Sequence, residues 1–329
     1  MITAKNVTKI YIGDPVIKNA GFVIGNRRKI GVVGKNGCGK TTLFKLINGI
    51  EIPDSGNIVL EKEVLGYIPQ EIDFPDVLVG EYLEAQLDSK QEFYKVETLA
   101  NKIEFKNFDV YQETKTLSEG QKMKLKMMEV LLSDPTTLFI DEPTNHLDIE
   151  GILWFENYIK NLDRSVVMIS HDRSFLNNVV DEIWEIENKK IYRFVGDYDN
   201  YKFEKNKLIE GWDREYKQFL KHKKRLEELI EHVRKIQDGK ARGRAVEAAK
   251  KRYVREIEQN KKEKYESKRI HEVGFATDLR KSKLVVRFDG LSKSYGAISV
   301  FKGLTFEVRG KEKVWLFGPN GAGKTTKKK

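Results

Sequence analysis

Residues 34–41 read GKNGCGKT, a glycine-spaced loop that closes on Lys and Thr. Glycines let successive backbone N–H groups gather around phosphate oxygens at a helix start, while the ammonium and hydroxyl serve an outer phosphate and its Mg²⁺. Gly34, Lys35, Asn36, Gly37, Cys38, Gly39, Lys40, Thr41 and Thr42 are the candidate phosphate ligands, with Lys40 on the outer phosphates and Thr41 on the metal. A hundred residues on, the apolar run TTLFIDEP delivers two carboxylates. Asp141 at the strand end suits a metal's hydration shell, and Glu142, one residue further, suits polarising an attacking water. The next apolar run, SVVMISHDRSFL, delivers His171, an imidazole able to donate to a terminal phosphate and sense its loss.

Three weaker signals sit around these. Gln70, in LGYIPQE, is a neutral side chain able to reach both metal and water, and Tyr11 is a candidate face for an adenine ring. Ser118, Gly120 and Gln121 belong to LSEGQ, just before the helical stretch KMKLKMMEVLL. A hydroxyl and free backbone donors at a helix start attract an anion. Such a string is commonly a simple N-cap, but its place between the loop and the paired acids favours the anion-binding reading.

Elements must hold these groups in place, and their pattern is legible. KIGVVG is a short buried strand, the glycines form the turn, and KTTLFKLINGI opens a helix. This arrangement recurs. Residues 9–42 lie over residues 293–326 at a constant offset of 284 without a gap, matching Lys9 to Lys293, Tyr11 to Tyr295, Lys18 to Lys302 and Phe22 to Phe306. The second copy repeats the phosphate set as Gly318, Asn320, Gly321, Gly323, Lys324, Thr325 and Thr326, with Thr325 as metal ligand and Tyr295 as ring. It reads as the front edge of an unfinished domain, because Lys327–Lys329 stand where the first copy has the helical Leu43, Phe44 and Lys45.

The chain of 329 residues is about two domains' worth, and 40% hydrophobic content supports packed cores. It contains neither a run of 18 apolar residues nor a signal peptide's apolar core at its start, so a soluble, cytoplasmic protein without an integral membrane segment is expected. Its single cysteine, Cys38, excludes a disulfide framework or a cysteine-rich zinc site. The net charge of +10 is local: between 204 and 283, 25 Lys and Arg face 15 Asp and Glu, and the remainder is balanced. Leu226, Leu229, Val233 and Ile236, then a tip QDGKARGRA, then Val246, Ala249, Tyr253 and Ile257 predict an antiparallel helical hairpin with a basic tip and second arm. Such a concentration of cations is the footprint of a nucleic-acid contact.

Taken in order, Tyr11, GKNGCGKTT, Gln70, LSEGQ, LFIDEP, TNHLD with His146 and Asp148, and His171 resemble the nucleotide-binding domain of ABC-type ATPases over residues 1–203. The charged helical connector, DEPTNHLD and YRFVGDYDNYKFEK narrow the resemblance to ABC-F proteins. The implied fold is α/β: an ABC-type P-loop ATPase domain with a helical signature subdomain, an antiparallel helical hairpin linker at 204–283, and at 284–329 the incomplete start of a second ABC domain. The resemblance further implies ATP and Mg²⁺ as cofactors, with ATP held between the loop of one domain and Ser118, Gly120, Gln121 and Asp148 of another. Lys40, Gln70, Glu142 and His171 would then be catalytic, and Thr41, Gln70, Asp141 and Thr325 would face the metal. The implied partner is the ribosome, its RNA and tRNA met by Lys235, Lys240, Arg242, Arg244, Lys250, Lys251, Arg252 and Arg255, in a translation factor or a protector against antibiotics. The alternative is the ATPase subunit of an ABC membrane transporter, which leaves the basic hairpin without a role. Two departures matter. Glu119 replaces the usual middle glycine of the signature, and the second copy carries no signature, acids or histidine, so hydrolysis by this chain is expected only if two first domains dimerise.

Overall fold

The computed structural model describes residues 1–105, 108–145, 147–235, 237, 239–260, 283–295, 298–315 and 318. By contacts the chain divides into two compact units, residues 1–200 with 276–329, and residues 201–275.

The first unit is built on a six-stranded sheet. β3 (Lys29–Val33), β5 (Leu65–Ile68), β6 (Thr137–Asp141), β7 (Ser165–Ile169), β8 (Glu182–Glu187) and β9 (Lys190–Val195) lie in the order β5-β6-β7-β3-β8-β9. All neighbours are parallel except β8 and β9, which form an antiparallel hairpin. Every residue of β3, β6 and β7 is buried, as continuous β-branched and aliphatic runs demand when both faces of a sheet are covered. A parallel sheet gathers its strand C-termini at one edge, and that edge is where ligands meet open α/β sheets.

β1 (Ile2–Tyr11), β2 (Asp14–Ile24) and β4 (Ser55–Leu60) form a separate antiparallel sheet in the order β2-β1-β4. Its inward residues Ile2, Val7, Ile17 and Phe22 join Ile30, Val32, Phe139 and Trp184 in one core cluster, with α1 (Lys40–Ile47) contributing Leu43 and Phe44. Phe44 meets Phe139 edge-on at 5.3 Å between centroids, and Phe22 lies 4.9 Å from Trp184. The helical subdomain comprises α2 (Val79–Glu84), α3 (Tyr94–Lys102) and α4 (Glu119–Leu132). α5 (Ile149–Asn161) and α6 (Arg173–Val179) follow β6 and β7. Lys29, at the start of β3, is buried and donates to the Leu162 and Arg164 carbonyls at 2.5 and 2.7 Å, tying the α5–β7 turn to the central strand.

α7 (Tyr198–Arg234) runs into the second unit, where α8 (Gly239–Tyr253) returns and passes into one π-helical turn at Val254–Glu258. His222 Nε2 lies 2.9 Å from Glu256, and Tyr253 donates to Glu227 at 3.1 Å, so the arms are antiparallel. Leu226, Ala249 and Ile257 are buried in the seam, whereas Leu229 is 38% exposed; Ile236 lies outside the described residues. The tip is shorter than its glycines predict. Most of QDGKARGRA is the first two turns of α8, since Ala and Arg favour helix strongly enough to absorb the ~1 kcal/mol cost of Gly243.

β10 (Leu284–Tyr295) and β11 (Ile298–Arg309) pair antiparallel as a two-stranded sheet.

Candidate functional site

The loop after β3 turns sharply. Gly37 and Gly39 have φ of 76° and 108°, the region that glycine enters without strain. A Cβ on Gly34 would lie 2.5 Å from Cys38 Sγ and 2.8 Å from the Ile186 carbonyl, so only a bare α-carbon fits there. α1 begins at Lys40 without a side-chain cap, leaving its first N–H groups for another acceptor. Lys40 Nζ folds back onto the Gly34 carbonyl at 3.0 Å.

The strand edge brings the predicted acids to this loop. Thr41 Oγ1 donates to Asp141 Oδ2 at 3.2 Å. Burial raises the Asp141 carboxyl above its ordinary range, opposed by the Thr41 donation and the Lys40 charge. Glu142 is buried, with its backbone in the left-handed region at φ 50°. Its N–H donates to the Ile169 carbonyl at 2.9 Å, which fastens it across the sheet to the end of β7. His171 Nε2 lies 3.1 Å from Glu142 Oε1, while Oε2 is buried with no hydrogen-bond partner among the described residues. Burial raises the Glu142 carboxyl too, against the lowering influence of His171 and Lys40. A carboxylate pushed upward beside a cleft, with one oxygen unsatisfied, is disposed to take a proton.

These groups line a cleft of about 560 Å³ together with Tyr11, Asn36, Gly37, Gly39, Thr42 and Gln70. The volume suits a small-molecule ligand. Thr41, Asp141 and Gln70 offer the hard oxygens that Mg²⁺ prefers, in the small number expected when phosphates and water complete its shell. Val16, Asn145 and Ile169 also line the cleft and escaped sequence reasoning. Asn145, three residues beyond Glu142 within TNHLD, was open to detection; Val16 is delivered by the β1–β2 register, which no local pattern announces.

The remaining predicted residues are not among the described residues that line it. Ser118 caps α4: its Oγ accepts from Gln121 N at 3.3 Å, and Gln121 Oε1 accepts from Ser118 N at 2.9 Å. The capping reading of LSEGQ therefore describes what these side chains do within the chain, and Ser118, Gly120 and Gln121 are not among the cleft's lining residues. A capping hydroxyl still has its own proton to donate outward. Glu119 points away into a 2.9 Å ion pair with Lys122. Asp148 caps α5, accepting from Gly151 N at 2.9 Å. His146, Asn320, Gly321, Gly323, Lys324, Thr325 and Thr326 lie outside the described residues. Tyr295 ends β10 as Tyr11 ends β1, and Gly318 has φ 152°.

In the second unit Lys235, Lys240, Arg242, Arg244, Lys250, Lys251, Arg252 and Arg255 are all exposed. Lys251 pairs with Glu247 at 2.9 Å, and Arg252 and Arg255 each reach Glu256 at 3.1 Å. Arg255 and His222 together hold the Glu256 carboxyl down at about 2. No helix among the described residues is long and apolar enough to cross a membrane.

Residues 17–145 match the family model described as ABC transporter. The chain is 28% identical to ABC transporter F family member 2 of Arabidopsis thaliana, over 99% of its own length and 54% of that protein's. It is 28% identical to the ribosome protection protein VmlR of Bacillus subtilis, covering 99% of the chain and 60% of the relative. To the energy-dependent translational throttle protein EttA of Mycobacterium tuberculosis it is 29% identical, with 98% and 64% covered. It thus spans 54% to 64% of the length of these relatives. A solved ATP-binding subunit of an ABC transporter superposes with a TM-score of 0.55 at 19% identity, over 63% of this chain and 93% of that one. The dimeric post-hydrolysis ATP-binding cassette MJ0796, bound to ADP and Pi, gives 0.52 at 20%, over 59% and 98%.

Proposed function

We propose that this chain, an ATP-binding cassette protein of the ABC-F type, binds ATP with Mg²⁺ in the cleft of its first domain, hydrolyses it to ADP and phosphate, and acts on the ribosome in the cytoplasm. The carrying observation is Glu142, held by His171 at one carboxylate oxygen and left unsatisfied at the other. In this reading the N–H groups of residues 34–42 bind the phosphates, and Lys40 exchanges the Gly34 carbonyl for the outermost one. Thr41, Asp141 and Gln70 hold Mg²⁺, which supplies charge neutralisation to the leaving phosphates. Glu142 accepts the proton of the attacking water at Oε2, and His171 fixes the carboxylate's orientation.

Ser118 and Asp148 are not among this cleft's lining residues, and in this reading they serve the nucleotide of a partner domain, two copies of the first domain pairing to complete each site. The exposed cations of α8 contact ribosomal RNA and tRNA by replacing phosphate counterions, a sequence-independent attraction. Translation control and protection from antibiotics both fit that contact.

ATP turnover and ribosome co-sedimentation test the two halves separately. Glu142→Gln is expected to lower turnover about 100-fold or more, and wild-type turnover to rise more steeply than linearly with protein concentration. Replacing Arg242, Arg244 and Lys250 by Gln is expected to weaken co-sedimentation and flatten its salt dependence. Undiminished turnover in Glu142→Gln would overturn the catalytic assignment; pelleting with membranes but not ribosomes would overturn the partner.

A further inference from the structure

Among the described residues lining the cleft, Tyr11 supplies the only phenolic ring, and it stands at an awkward place. It ends β1, is 39% exposed, and is followed by the left-handed turn of Ile12 and Gly13. A half-exposed ring at a strand end turns between rotamers unless something holds its far end. Here the hydroxyl donates to Glu51, a residue forty positions later in the segment that follows α1. Glu51 is itself fixed. Its N–H donates to the Lys45 carbonyl at 3.2 Å, Lys45 Nζ lies 3.6 Å from one carboxylate oxygen, and Lys9 Nζ lies 3.9 Å from the other. Lys9 donates to the Ile52 carbonyl at 2.8 Å and stands over the Tyr11 ring, 5.4 Å from its centroid. An ammonium thus stands on the ring and the hydroxyl is anchored, while the half-exposed ring remains part of the cleft's lining.

We propose that Glu51 is a positioning residue for the nucleotide base: it holds Tyr11 as a fixed stacking platform without touching the nucleotide. This rests on the reading of the cleft as a nucleotide site, and adds to it the group that sets how firmly the base is recognised. Two observations separate it from an ordinary surface ion pair. The Glu51 side chain is only 22% exposed, and its hydrogen bond is to the ring that lines the cleft rather than to the lysines alone. A platform already held in place loses less conformational freedom when a base stacks on it.

The test compares two probes, ATP and inorganic tripolyphosphate, each with Mg²⁺, by calorimetry on the full chain. Glu51→Ala and Tyr11→Phe each break the same anchor. Each is expected to weaken ATP binding about five- to tenfold, to leave tripolyphosphate binding unchanged, and to add nothing to the other in the double variant. Glu51→Gln, which keeps an acceptor for the hydroxyl, is expected to recover most of the affinity. Unchanged ATP binding in both variants, or a parallel fall for both probes, or additive losses would overturn the proposal while the nucleotide site stood. An unaltered chain binding neither probe would remove the site and the proposal together.

Discussion

The two hairpins β1–β2 and β10–β11 share a pairing scheme and differ in burial. Ile2↔Ile24, Ala4↔Phe22, Val7↔Ala20 and Lys9↔Ile17 in the first correspond, at the offset of 284, to Val286↔Val308, Phe288↔Phe306, Leu291↔Leu304 and Lys293↔Phe301 in the second. The irregular positions correspond too. Asn6 and Asn19 are left-handed at φ 51° and 50°, and their counterparts Gly290 and Gly303 at 62° and 65°. Asn19 N donates to Thr8 Oγ1 at 3.0 Å, and Gly303 N to Ser292 Oγ at 2.8 Å. Burial does not follow. Ile2 and Val7 are wholly buried, while Val286 and Leu291 are 40% and 38% exposed. Register is therefore written in the two strands, through bulges, left-handed residues and one hydroxyl, whereas burial comes from the elements packed on them. The same residue type should then be worth very different amounts at matched positions.

The largest contrast is expected at the matched phenylalanines. Phe22→Ala empties a site packed on Trp184 and should destabilise the first unit by about 3–5 kcal/mol in urea denaturation; Phe306→Ala, which loses a stack on Phe288, should cost about 1 kcal/mol or less. Equal losses would break the comparison. Next come the matched lysines. Lys29→Met leaves the Leu162 and Arg164 carbonyls short of donors and should cost about 2–3 kcal/mol, whereas Lys313→Met, at an exposed position, should cost almost nothing. Burial lowers Lys29 from 10.5 to about 8. Between those values the unfolded chain binds the extra proton, so this residue's contribution makes the fold more stable as pH rises from about 8 towards 10.5. Lys29→Met should abolish that rise in the denaturation midpoint. The smallest contrast is the hydroxyl under the bulge: Thr8→Val should cost about 1–2 kcal/mol at a buried site, and Ser292→Ala within about 0.5 kcal/mol at an exposed one.

The same division explains what could be read in the sequence. The phosphate loop and the strands that lead to Asp141 and His171 are short-range signals carried by glycine spacing and apolar runs, and β3, β6 and β7 lie where those runs are. Glu51 was not legible, because its partner Tyr11 is forty residues away and neither residue's neighbours announce the other. Val16 reached the cleft through pairing, and the helical tip shrank because Gly243 was outweighed by its helix-forming neighbours. LSEGQ carried two messages in one string. Its N-cap is satisfied inside the chain, while any anion it serves is outside the described cleft.

Glu142 combines a backbone in the left-handed region with a buried carboxylate whose charge is disfavoured. The left-handed backbone alone costs about 1 kcal/mol or more, and glycine would relieve both features. Selection for thermal endurance alone would accordingly be drawn to this position and would discard its side chain. Under the proposed role of Glu142 as base, heat resistance and turnover would pull in opposite directions at a single codon, and a library screened only for survival at high temperature would enrich folded proteins that have lost that base.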